Sequence, residues 1–210
     1  RFSTGVRAYD PINAFDLSLA TNTIVADNWN TDFTGIFRAN TVLDQLNEEL
    51  VPDAATFERL MGEAKFLRAF FYFDLVRTYG KVPVFDRVYT PTETLEIPRA
   101  PVAEVYELIL ADLTEAVNLL PSSYGSDSLG KVTSWAAKAI LGQVYLTRSG
   151  PTYGIEGPGL NSNEYNLALE QFNDIIDNGP FDFVNDYASI FDYNNEHNEE
   201  IIFNIEYVSG

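Results

Sequence analysis

Few side chains in this sequence combine the type and the spacing that chemistry demands. Trp29 sits in the polar run DNWNTD, flanked by Asp27, Asn28 and Asn30. An indole stacks on the apolar face of a sugar ring, and neighbouring amides and carboxylates bond its hydroxyls. That makes Trp29, Asn28 and Asn30 candidate ligand-binding residues. The plainer alternative is that the ring packs as a staple on the helix that follows. Tyr153, in the Gly/Pro-rich loop SGPTYGIEGPGLNS, is a weaker second candidate. Asn28, Asn30 and Asp32 alternate as oxygen ligands do in a calcium loop, and Asp192, Asn194 and Glu196 repeat the spacing. Neither run has the glycine and distal glutamate of an EF-hand. Calcium is therefore an option, and no cofactor is required.

Catalytic readings fare worse. The single histidine, His197, lies in NNEHNEE with no serine or cysteine partner pattern, and HExxH, GxSxG, CxxC and Gly-rich phosphate loops are all missing. With 31 acidic residues, carboxylate pairs arise by chance. A glycosidase needs two of them held at a set separation across a cleft, which spacing along the chain does not supply. A binding protein without catalysis is the expectation. The formal net charge of -18 excludes nucleic acid and anionic membrane surfaces as partners, because both would repel the chain. It suits a neutral ligand. The absence of cysteine excludes disulfides and thiol chemistry. No apolar run reaches the roughly 18 residues of a membrane span.

The elements that must position these residues are mostly helical. Residues 56–79 hold the longest helical signal, with Leu60, Ala64, Leu67, Phe71 and Leu75 on one stripe and Phe66, Phe70, Phe73 and Val76 on a second. A helix apolar on two faces belongs between other helices, so Phe71 and Leu75 are expected to be fully buried. Gly80 and Pro83 end it, and VPVF reads as a short strand. Arg68 falls within the apolar face, which calls for a carboxylate from a neighbouring helix; Asp112 is the candidate. Further helices are expected over 32–50, preceded by a loop at 27–32, and over 101–119, 133–149 and 164–178. The small residues of 133–149, Ala137 among them, allow a neighbour to approach closely. Alternation of Ile201, Phe203, Ile205 and Tyr207 predicts a strand. The expectation is a mostly α domain over 1–210: stacked antiparallel helix hairpins, tetratricopeptide-like, with minor β. The pairs span 32–79 and 101–149, followed by a helix and strand over 164–210.

The segment EAKFLRAFFYFDLVRTYGKVPVF resembles the signature of the SusD/RagB family, through Glu63, Ala64, Leu67, Arg68, Ala69, Tyr72, Phe73, Leu75, Val76, Gly80, Pro83 and Val84. Trp29, Ile36, Arg38, Ala39 and Asn40 are similar to its W…Y…I.RAN segment, with Phe33 where a tyrosine is common. Asp112, Leu113, Ala116 and Leu119-Leu120-Pro121 match a third segment, and TSWAAKAILGQVYL a fourth. The resemblance covers residues 27–207. It implies a lipoprotein of Bacteroidota-type outer membranes that captures oligosaccharide or another nutrient at the cell surface. Its partner would be a SusC-like TonB-dependent transporter. An alternative role is a tetratricopeptide-like protein-interaction or assembly module at the cell surface. Members are usually more than twice this length, so the chain reads as a fragment, with an export signal and a lipid-bearing N-terminal cysteine outside it. Binding residues vary across the family, so the signature helix transfers no site.

Overall fold

The computed structural model describes residues 9–14, 16–125, 128, 130–192 and 195–205. Among them the helices are α1 (Asp10–Ala14), α2 (Thr23–Gln45), α3 (Ala54–Tyr79), α4 (Pro91–Glu96), α5 (Val102–Leu119), α6 (Ser134–Ser149) and α7 (Tyr165–Asn178). Short 3-10 turns cover Leu17–Thr21 and Tyr187–Phe191. The long helices pack in the order α2, α3, α5, α6, α7, each on the next. The fold is thus the expected helical, tetratricopeptide-like stack. The β content among the described residues is one antiparallel pair, β1 (Val82–Pro83) with β2 (Arg99–Ala100).

Local chemistry accounts for the helix ends. Asp53 caps α3 by accepting from the Thr56 N–H at 2.9 Å, and the Thr56 hydroxyl together with this bond holds its carboxyl below the ordinary carboxylate range. Gly80 ends α3 with φ of 68°, and a Cβ there would lie 2.9 Å from the Glu156 carbonyl oxygen. Both facts require glycine. Helix α5 begins after Pro101, and its first N–H, from Val102, donates to Glu156 Oε1 at 2.9 Å. A side chain from a distant loop therefore satisfies one of the orphan donors of that terminus. Thr133 caps α6 by accepting from Ala136.

Three expectations need correcting. Helix α2 starts at Thr23, because Asn22 caps it by accepting from Ile24 and Val25 at 3.0 and 3.3 Å. The expected loop at 27–32 is therefore helical. Its polar residues Asp27, Asn30 and Thr31 are the solvent face, while Val25, Trp29, Asp32 and Ile36 turn inward. The helix ends at Gln45, short of residue 50, where Asn47 organises a turn by accepting from Leu50. Phe71 is only half-buried and Leu67 is 42% exposed. Of that stripe, Ala64 and Leu75 reach the core, whereas Phe66, Ala69, Tyr72, Phe73 and Val76 of the other face are buried. Phe71 lies on the outer rim of the α2–α3 seam, over Gly35, where a Cβ would come within 2.3 Å of its ring. Periodicity locates apolar faces but not which of two faces has the larger partner. Lastly, residues 201–205 form no strand, and Tyr207 lies outside the described residues. Phe203 instead packs its ring edge on Phe66 at 5.3 Å. Helices offer it side chains but no free backbone to pair with.

The core runs between α3, α5 and α6 and includes Tyr106, Ile109, Leu113, Ala136, Ala137 and Val144. Within it Arg68, 5% exposed, meets Asp112, 1% exposed, through Nε–Oδ2 at 2.7 Å and Nη2–Oδ1 at 2.8 Å. Removing one partner strands the other charge in a dry site. Arg68→Met alone should cost about 3–5 kcal/mol, and Arg68→Met with Asp112→Leu much less, because no charge is then left unpaired. Denaturant melts of the single and double variants measure this. Ala137 is fully buried. Ala137→Leu should destabilise by about 1–3 kcal/mol in the same assay through overpacking.

Candidate functional site

One open groove, about 310 Å³, stands out by its aromatic lining. Its first wall is a single face of α2: Trp29, Phe33, Ile36, Phe37 and Asn40, spaced by four, three or four residues as helical neighbours are. Its second wall is the extended stretch after α3, where Pro83, Phe85, Arg87 and Tyr89 alternate onto one side, with Thr94 of α4 at the end. The rings touch, Phe33 and Phe85 edge to face and the other two pairs tilted. Trp29 and Phe33 have centroids 4.7 Å apart, Phe33 and Phe85 5.6 Å, Phe85 and Tyr89 5.7 Å. Phe37 is 55% exposed and offers its ring to the opening.

The second wall is held from below by polar side chains. Asn40, 1% exposed, donates from Nδ2 to the carbonyl oxygens of Phe85 and Arg87, both at 2.9 Å. Its Oδ1 accepts from Arg68 Nη1 at 2.8 Å, and that nitrogen also donates to the Asp86 carbonyl at 2.7 Å. The Tyr72 hydroxyl accepts from the Phe85 N–H at 2.6 Å. Burial pushes its phenol well above the ordinary tyrosine range, so it stays a neutral donor and acceptor. Val88 donates to Asp44 of α2 at 2.9 Å.

The outer end of this wall is a charged clamp. The Arg87 guanidinium lies 3.9 Å over the Tyr89 ring and pairs with Glu93 at 3.1 Å. Glu93 also closes a capping box with Thr90. Backbone and hydroxyl bonds from Thr90, then the bond from Arg87, hold its carboxyl down at about 2. Arg87 is therefore already partnered and leaves the groove close to neutral.

Of the candidate residues, the structure brings Trp29 into the groove, though from a helix and not from a loop. The ring is half-buried, with its edge against Tyr79 at 5.1 Å, so packing on its own neighbours and facing the groove go together. Asn28 points instead to Asp32 and Asp74, donating to them at 3.2 and 3.0 Å. Asn30 is exposed and is not among the lining residues. Asn28 and Asp32 are one turn apart while Asn30 falls on another side of the helix, so the three oxygens do not converge as calcium ligands would. Tyr153 is 86% exposed with φ of 50°, in the loop after α6, and lines no part of the groove. Of the other trio Asp192 and Glu196 are exposed, and Asn194 lies outside the described residues. His197 is exposed.

Phe37, Phe85, Arg87 and Tyr89 were not singled out as site residues in the sequence. Phe33 and Phe37 follow Trp29 at helical spacing, and Phe85, Arg87 and Tyr89 at strand spacing, but only the fold shows that the two patterns face each other. The hinge of this arrangement is testable at Tyr72. Tyr72→Phe leaves the Phe85 N–H unpaired and should cost about 1–3 kcal/mol, measured by thermal melts, with faster amide exchange at Phe85.

Comparison with known proteins agrees with this architecture. Residues 9–146 match a family model, SusD-like, described as "Starch-binding associating with outer membrane". A SusD-like protein of Bacteroides ovatus is 30% identical over 183 residues, which is 86% of this chain and 32% of that protein. The crystal structure of a SusD-like protein from Bacteroides fragilis superimposes with a TM-score of 0.73 at 30% identity, covering 88% of this chain and 34% of that one. A laminarin-binding SusD-like protein gives 0.70 at 28% identity, over 84% of this chain and 36% of that one. The chain thus spans about a third of the length of these relatives. The match over residues 9–146 includes α2, α3 and the segment that together build the aromatic groove, and by it the chain belongs to the SusD-like family.

Proposed function

We propose that this chain captures neutral oligosaccharide in the groove between α2 and residues 83–94, without altering it. The observation that carries this is the facing pair of aromatic walls, Trp29, Phe33 and Phe37 opposite Phe85 and Tyr89. Such rings stack on the C–H faces of sugars, and nothing in the lining poses as a catalytic carboxylate pair. The net charge of -18 disfavours anionic glycans, and Arg87 is already neutralised by Glu93. A laminarin-binding relative supports the ligand class. The whole protein would sit at the outer membrane surface, anchored by a lipid on an N-terminal cysteine. It would pass the captured sugar to a SusC-like TonB-dependent transporter. This role needs no cofactor.

A second reading, a protein-assembly surface, is favoured by one observation. The outer α2–α3 seam exposes Val42 at 41% and Leu67 at 42%, with Leu60 and Phe71 half-buried between them. An apolar strip of this kind suits a protein partner. The two surfaces lie on different sides of α2 and respond to different substitutions.

Calorimetry with laminarin oligosaccharide should give a dissociation constant between about micromolar and millimolar, as shallow wet sites do. Phe37→Ala removes an exposed ring and should shift stability by no more than about 0.5 kcal/mol, yet weaken binding about fivefold or more. Leu67→Ser should leave binding unchanged. Equal affinity of wild type and Phe37→Ala, or no heat with either laminarin or other neutral oligosaccharides, would overturn the groove as the site.

A further inference from the structure

Under the Trp29 end of the groove, two carboxyls face each other across the α2–α3 seam. Asp32 of α2 is 6% exposed, and Asp74 of α3 is half-buried. The side-chain nitrogen of Asn28 bridges them, donating to Asp32 Oδ2 at 3.2 Å and to Asp74 Oδ2 at 3.0 Å. The other oxygen of Asp74 accepts from Arg77 at 3.1 Å. The Tyr79 phenol, near both carboxyls, donates to the Val25 carbonyl at 2.6 Å. Its ring carries the edge of Trp29. Among the described residues, the charged and titratable groups facing this carboxyl pair are Arg77, which reaches Asp74, and Tyr79, both from α3, with the neutral Asn28 on α2.

Two ionised carboxylates sharing one amide in a partly buried seam repel each other. A single proton removes that repulsion and adds a hydrogen bond, since the Asp32 acid can donate to the Asp74 carboxylate. Asp32 is the more buried of the two, so the proton belongs to Asp32. Burial first, then the Asp74 charge, push the Asp32 carboxyl up from 3.8 to about 7. The seam is not a remote one. Asn28 immediately precedes Trp29 and Asp32 is three residues after it, while Tyr79 on α3 touches its ring. Any change in how α2 sits on α3 here moves the first wall of the groove against the second.

We propose that Asp32 and Asp74 form a proton-dependent clasp that positions Trp29, so that the groove's affinity for its ligand falls as the pair ionises. The binding half of this proposal rests on the groove being the oligosaccharide site; the clasp itself does not. The sign follows from linkage. A carboxyl whose folded value lies above its unfolded one holds its proton in the native state alone between the two. The stabilisation is full in acid and is lost as pH rises through about 7.

The test uses Trp135→Phe protein, in which Trp29 is the only remaining fluorophore of its kind. Its emission, followed from about pH 5 to 9, should change with a midpoint near 7. Asp32→Asn, whose amide can donate permanently to Asp74, should abolish the transition and hold the emission at the acid-form value. Asp74→Asn removes the neighbouring charge and should lower the midpoint, while burial still holds it above the ordinary carboxylate range. Laminarin oligosaccharide should bind about three- to tenfold tighter at about pH 5.5 than at about pH 8.5, and equally well at both in Asp32→Asn. Flat emission in folded wild type, or a transition that survives Asp32→Asn, overturns the clasp. A transition with no laminarin bound at either pH upholds the clasp and overturns the groove as the ligand site. Binding that stays constant across the transition upholds both elements separately but overturns the coupling between them.

Discussion

The burial of one positive charge, Arg68, is the constraint on which the rest of the structure depends. A guanidinium taken out of water is costly unless all its donors are met. Here the Asp112 carboxylate of α5 takes two of them, and the Asn40 oxygen of α2 and the Asp86 carbonyl share a third nitrogen. Three helices and one loop are thereby tied to a single planar group. Because the fork geometry is rigid, it leaves little freedom in where the Asn40 end of α2, α5 and residues 85–87 sit relative to α3, while the Trp29 end of α2 lies about three turns away. Lys65 adds a second cation to Asp112 at 3.4 Å and bridges onward to Glu115 at 3.2 Å. The acid-rich chain thus concentrates two of its few cations at the helix junction.

This internal polar cluster also explains why an irregular segment can form a wall. Residues 84–90 run without a strand partner, so their backbone groups need other partners. Asn40 takes the carbonyls of Phe85 and Arg87, Arg68 that of Asp86, Tyr72 the Phe85 N–H and Asp44 the Val88 N–H. Each is a side chain reaching up from α2 or α3. With its backbone so occupied, the segment presents Phe85, Arg87 and Tyr89 outward. The aromatic groove is in this sense a by-product of satisfying a loop.

Much of the helical stack was legible in the sequence because its signals are local. Gly80, Thr133 and Gly179 mark helix ends, and the apolar spacing of α5, α6 and α7 repeats cleanly. Arg68 on an apolar face announced a buried ion pair, and Asp112 supplies it. What was not legible depends on competition between faces or on long-range placement. The run DNWNTD looks like a loop because its solvent side is so polar, yet the cap at Asn22 lies upstream of it. Phe71 continues a regular stripe, but α3 turns its other face to the core and leaves Phe71 on the glycine step at Gly35. Trp29 was found as a candidate by its own chemistry. Phe85 and Tyr89 were not, since their role exists only once the chain returns after β1 to face α2.

The two walls are held by different kinds of chemistry, and this difference has a consequence. The Phe85 wall hangs on a guanidinium, which stays charged at any pH a cell surface meets, and on a phenol whose ionisation burial pushes still higher. Nothing in that set titrates near neutrality. The Trp29 wall rests on a seam whose central group, Asp32, changes charge close to neutral pH. One side of the groove is therefore a fixed reference and the other is adjustable. Displacements at the Trp29 end translate into groove width without being absorbed on the far side, because the far side is tied to the core through Arg68. A groove with two soft walls would lose its shape on such a change, and one with two rigid walls would not respond. The pairing of a permanent ion pair with a titratable carboxyl pair, at two levels of one helix hairpin, is what allows a graded response.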